Sequence, residues 1–77
     1  MVHAFIMVKT GAGESETLLA DVDGIESVTE AHVVAGDYDI IAEVDAAEVY
    51  DVLHVAASGI QSLGGVLDTR TYIAMDD

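Results

Sequence analysis

Seventy-seven residues allow one domain with a modest core, a size that is often marginal alone and for which oligomerisation is a common remedy. Fifteen Asp and Glu stand against Lys9 and Arg70, a net charge of -13 at pH 7, which excludes direct DNA or RNA contact because no supply of cations exists to replace phosphate counterions. The absence of Cys excludes disulfides, thiolate catalysis and zinc–thiolate sites, and an apolar fraction of 52% excludes a disordered acidic tail.

Val2 to Lys9 reads as a strand that ends at the loop Thr10-Gly11-Ala12-Gly13. Val2, Ala4, Ile6 and Val8 point one way and Phe5 and Met7 the other, so both faces are apolar and both ask to be covered. Glu14 to Asp23 reads as a helix, with Leu18 and Val22 four apart, Leu19 beside them, acidic residues in the first turn and Gly24 as C-cap. A second strand lies within Ile25 to Val34, most clearly from Val28. Ala35-Gly36-Asp37 turns the chain, with Gly36 offering the positive φ that hairpin turns often need. Tyr38 to Val44 is the third strand, with Tyr38, Ile40, Ala42 and Val44 on its apolar face. Asp45-Ala46-Ala47-Glu48 has the pattern of a capping box opening a helix to about Gln61, striped by Val49, Val52, Leu53, Ala56, Ala57 and Ile60. Gly64-Gly65 ends it. Val66 to Met75 is the last strand, with Leu67, Thr69, Thr71, Ile73 and Met75 on one face, and Asp76-Asp77 is a frayed tail.

The order is βαβ, turn, βαβ, a weak internal repeat marked by Gly24-Ile25 and Gly65-Val66. A duplicated split βαβ unit packs as a ferredoxin-like α+β sandwich, a four-stranded antiparallel sheet with two helices on one face. The other face stays open, so Phe5 and Met7 call for a partner subunit and a dimeric α+β barrel. The extreme acidity implies strong self-repulsion in dilute buffer, relieved by molar salt, and points to a halophilic source. No apolar run approaches the roughly 20 residues of a membrane span, and anionic membrane surfaces are disfavoured by charge. The first residues enter a strand pattern and are no signal peptide, so the default location is cytoplasmic.

The pattern Gly36-Asp37-Tyr38-Asp39-Ile40, soon after the Val33-Val34 strand end, resembles the ligand-binding (RAM) domain of the Lrp/AsnC transcriptional regulators. Gly65-Val66-x-x-Thr69-x-Thr71-x-Ile73 resembles the closing strand of that family, and the resemblance covers essentially all of residues 1–77. It implies a ferredoxin-like fold, homodimers joined through their sheets and assembling to tetramers or octamers, and small effectors, usually amino acids, bound between dimers. The matching positions are Gly36, Asp37, Tyr38 and Asp39 in the turn and Thr69 and Thr71 in the last strand. Most members carry an N-terminal helix-turn-helix, whereas this chain begins at its first strand. It therefore resembles the stand-alone form, of haloarchaeal type, which implies effector sensing and hetero-assembly with a full-length regulator rather than DNA binding.

In that reading, backbone N–H groups at the glycine turn hold an effector's carboxylate, while an Asp or a threonine hydroxyl holds its ammonium. The plainer alternatives are that Asp37 supports the turn, that Asp39 is solvated, that the threonines simply suit a strand, and that Arg70 bridges carboxylates. His3, His32 and His54 lie in three elements without metal spacing, and no nucleophile triad, Walker loop or dinucleotide fingerprint is present. The expectation is therefore a non-enzymatic sensor with no catalytic residues, no metal and no cofactor. A small dimeric oxygenase or haem-type enzyme using His3 or His32, and a purely structural assembly partner, remain as alternatives.

Overall fold

The computed structural model of the chain describes residues 1–76. It runs β1 (Val2–Thr10), α1 (Ser15–Asp23), β2 (Val28–Val33), β3 (Ile40–Ala46), α2 (Val49–His54) continued by a π-helical segment (Val55–Ile60), and β4 (Val66–Ile73). The strands form one antiparallel sheet in the order β2-β3-β1-β4, the expected ferredoxin-like arrangement. The alternation of β1 explains its central place. Ala4, Ile6 and Val8 are wholly buried and pair with Val44, Ala42 and Ile40 of β3, which are buried too. Leu18 and Val22 of α1 and Val52, Val55, Ala56 and Ile60 of the second helical element close over this layer. Each fully buried isoleucine (Ile6, Ile40, Ile60) contributes about 1.5–3 kcal/mol. Both helices thus spend their apolar stripes on one sheet face. On the other, Phe5, Met7 and Ile41 stay half-exposed beside His3, Glu43 and Asp45.

Several local expectations are corrected. Asp45 does not cap a helix: Asp45 and Ala46 continue β3, paired with His3 and Val2, and helix α2 begins at Val49 after Glu48, which makes no side-chain cap bond. The β1 ladder and a bond from the Asp45 N–H to the Ser27 carbonyl (3.1 Å) outweigh the short-range capping signal. The second stripe is also shifted. Its π-helical second half re-phases the helix, burying Val55 with Val52, Ala56 and Ile60 and leaving Val49, Leu53 and Ala57 exposed. Finally, Tyr38 lies outside β3, which starts at Ile40; residues 35–39 form a bend, and Gly36 is not among the glycines with positive φ. Arg70 bridges no carboxylate among the described residues. Of the expected frayed tail, Asp76 is irregular and exposed, and Asp77 lies outside the described residues.

Gly65 does need its left-handed φ of 97°, and a Cβ there would press on Leu18 Cδ1 at 3.2 Å and into the Glu14 carboxylate. Its carbonyl accepts the Gly11 N–H (2.9 Å), tying the end of β1 to the start of β4.

Candidate functional site

The β2–β3 connection is held at both ends by backbone bonds. The Val34 N–H donates to the Asp39 carbonyl (2.8 Å), and the Asp39 N–H donates to Val8 of β1 (2.9 Å). Between Lys9 and Thr10 the β1–β4 register slips, and at that bulge the Thr10 N–H donates to Asp39 Oδ2 at 2.8 Å. Thr10 is only 7% exposed, so the Asp39 carboxylate satisfies a donor that water cannot reach freely. The consequence is a projecting segment, Ala35 to Tyr38, fixed beside the open sheet face at the end of β1.

Register brings β4 to the same place. Phe5 pairs with Tyr72, Met7 with Arg70 and Lys9 with Asp68, so Arg70 and Tyr72 share the open face with Met7 and Lys9. Lys9, Gly36, Asp37, Tyr38, Arg70 and Tyr72 line a cleft of about 600 Å³. The Lys9 ammonium donates to the Asp37 carbonyl (3.0 Å) and pins the projecting segment to β1. The Tyr38 hydroxyl is the largest influence raising the Arg70 pKa above its ordinary value, with Tyr72 and Asp68 adding to it, although no formed hydrogen bond joins Tyr38 and Arg70. On the other flank of Tyr38 lies an apolar hollow of about 210 Å³, walled by Met7, Val34 and Ile41. A polar cleft next to an apolar hollow, with Gly36, Asp37 and Tyr38 common to both, has the two surfaces that a small amphipathic molecule needs.

Of the residues expected at the site, Gly36, Asp37 and Tyr38 come together here. Asp39 does not line the cleft; its carboxylate is spent on Thr10. Thr69 and Thr71 are across the sheet, paired with the buried Val8 and Ile6 on the helix-covered side, and the Thr69 hydroxyl accepts the Gln61 amide (2.7 Å). The residues that replace them are Lys9, Arg70 and Tyr72. Period-two alternation already separates Arg70 and Tyr72 from Thr69 and Thr71, and that signal marks the two sets as belonging to opposite faces.

A second polar group sits further along the open face. His3 Nδ1 lies 2.5 Å from Asp45 Oδ1 and Nε2 lies 3.2 Å from Glu43 Oε1, with Phe5 edge-on to the ring at 5.0 Å. The hydrogen bond to Asp45 is the chief cause raising the His3 pKa above 6.5; Glu43 adds to it and partial desolvation opposes it. His32 pairs with Glu30 on the exposed edge strand β2 (2.8 Å). Among the described residues, no group of three such side chains is arranged to hold a metal ion, and no helix is long and apolar enough to cross a membrane.

The Lrp/AsnC ligand binding domain family matches residues 3–77. The leucine-responsive regulatory protein of Haemophilus influenzae is 31% identical over 62 residues, which cover 80% of this chain and 37% of that protein. Its counterpart from Escherichia coli K12 is 30% identical over 78 residues, covering 100% of this chain and 48% of the relative. The chain thus spans less than half the length of these curated relatives, both named as regulatory proteins. The crystal structure of TTHA0845 from Thermus thermophilus shares the fold with a TM-score of 0.95 at 30% identity, covering 100% of this chain and 96% of the other. By its fold, by the match across nearly its whole length and by these relatives, the chain belongs to the Lrp/AsnC ligand-binding domain family.

Proposed function

We propose that this domain senses a small molecule, an amino acid, at the cleft beside the β2–β3 connection, and modulates transcription through partner proteins without touching DNA itself. The observation that carries the reading is the cleft: in a domain of this ligand-binding family, Gly36, Asp37 and Tyr38 stand between a polar hollow and an apolar one. The name of the leucine-responsive relatives supports an amino acid as the effector class. The net charge of -13 argues against phosphate contact by this domain. The open face around Phe5 is the surface for a homodimer, with Met7 and Ile41 at its seam, where they also wall the effector's apolar hollow; dimers assemble further to tetramers or octamers or join a full-length Lrp/AsnC regulator in the cytoplasm. Asp39, Thr69 and Thr71 act behind the site, holding the bulge and the helix-side face of β4 on which its lining depends.

The test is thermal melting in molar KCl with each of the twenty amino acids. A ligand at about 100 times its Kd stabilises the native state by about 2.7 kcal/mol, a shift well above measurement error. A melting point unmoved by every amino acid defeats the proposal.

A further inference from the structure

Lys9 and Arg70 are the only strong cations in a chain with fifteen carboxylates, and both line the same cleft. Their strand register puts them there: Met7 opposes Arg70 and Lys9 opposes Asp68, so Lys9 and Arg70 are diagonal neighbours on one face, roughly 7–8 Å apart. Neither forms an ion pair with any carboxylate among the described residues; the pairs that do form all belong to His3 and His32. The acid nearest by register, Asp68, faces Lys9 across the strands, but its Oδ1 accepts the Thr69 N–H (2.9 Å) and it closes no ion pair with either cation, so both keep donors on the cleft for a ligand. The Lys9 ammonium spends one donor on the Asp37 carbonyl and keeps two. The Arg70 guanidinium keeps a planar fork suited to a carboxylate, in a cleft lined also by Tyr38 and Tyr72.

We infer that Lys9 and Arg70 are the carboxylate-binding end of the cleft, and that the ligand is a small zwitterion whose carboxylate they hold while Asp37 faces its ammonium. Net charge selects the zwitterion among carboxylates. A molecule of zero net charge feels little repulsion from a protein at -13, whereas a dicarboxylate is repelled as a whole. The apolar hollow beyond Tyr38 then takes an uncharged side chain, against Met7, Val34 and Ile41. This deepens the sensor reading and rests on the cleft being its effector site.

The experiment is calorimetric titration of the full chain with three matched sets of probes: the twenty amino acids, their amides, and the corresponding 2-oxo acids. It is run on wild type and on Lys9→Met, Arg70→Gln and Arg70→Lys, with circular dichroism confirming each fold. In 1 M KCl, where screening removes the general attraction of the cationic amide to an acidic protein, the binding amino acid is expected to outbind its amide about tenfold to a hundredfold, the worth of charge-assisted hydrogen bonds. Lys9→Met and Arg70→Gln each weaken the acid by at least about tenfold and leave the amide nearly unchanged, and Arg70→Lys restores part of the loss. The acid–amide comparison on wild type stands even where a variant fails to fold. Equal binding of acid and amide, or full affinity in Arg70→Gln, overturns the clamp while leaving the amino-acid sensor intact. Variants that lose self-association but keep affinity also overturn it, since the cations then serve an interface. Should 2-oxo acids bind and amino acids fail, with binding lost in Arg70→Gln, the clamp stands and the amino-acid reading falls. Binding by none of the probes overturns both.

Discussion

Salt is the perturbation to which this domain is expected to respond most. Its charge is -13 and its Cα radius of gyration is 11.4 Å. A sphere with that radius of gyration has a radius of about 15 Å, and its charging energy in water falls from about 9 kcal/mol at 0.1 M salt to about 4 kcal/mol at 1 M. The unfolded chain is more expanded, with a radius of gyration near 27 Å, and its charging energy falls only from about 2 to about 1 kcal/mol. Molar salt therefore favours the folded state by about 4 kcal/mol, against a total stability of about 5–15 kcal/mol for domains in general. For a chain of this size that corresponds to a rise in Tm of about 15–30 °C. Melting followed by circular dichroism from 0.1 to 1 M KCl measures it. Charge dependence is checked with Asp21→Asn, Asp23→Asn and Glu26→Gln combined, three exposed acids whose neutralisation leaves -10. Because the energy scales with the square of the charge, the salt increment should shrink to about three-fifths. A rise below about 5 °C, or the same rise in the neutralised protein, refutes repulsion as the controlling force and with it the argument for a salt-rich source.

Asp39→Ala leaves the buried Thr10 N–H without its acceptor and should cost about 1–3 kcal/mol, a Tm fall of about 5–20 °C, whereas Asp39→Asn retains an oxygen acceptor and should cost less. The His3 imidazole should titrate above 6.5 by proton NMR, and Asp45→Asn should bring its midpoint down towards 6.5. Because the folded pKa is raised, the stability that His3 contributes is fully present below 6.5 and disappears as pH rises through the raised value. Phe5→Asp places a charge in the open apolar face and should weaken self-association by at least about a hundredfold in light scattering at 1 M KCl, with the monomer's circular dichroism unchanged; wild-type-like association would remove the sheet face as the dimer surface.

The architecture was legible because it rests on short-range periodicity. Ala4, Ile6 and Val8 alternate with Phe5 and Met7, and Leu18 and Val22 recur at helical spacing. Whichever neighbours these elements acquire, the same side chains share a face. The apolar second face of β1 was equally visible, since two short helices cover one side of a sheet and not both. The turn at Gly36, Asp37 and Tyr38 was recognisable from its residues alone, and the structure places these three on one cleft.

What the chain's own order did not disclose was decided by pairing between distant strands. Asp45 carries a capping signal, yet His3 and the β1 ladder claim it across 42 positions of sequence. The π-helical segment turns Val55 inward while Leu53, in the α-helical turn before it, stays exposed, a pattern set by the sheet surface against which the element packs. Thr69 and Thr71 look like partners of the turn until β4 is set beside β1; the register then directs them to the helix side and delivers Arg70 to Lys9 instead. Local sequence dictates which residues share a face, because side-chain direction repeats with the backbone's own period. Which face meets which neighbour depends on contacts between residues far apart in the chain, and only the folded sheet settles them.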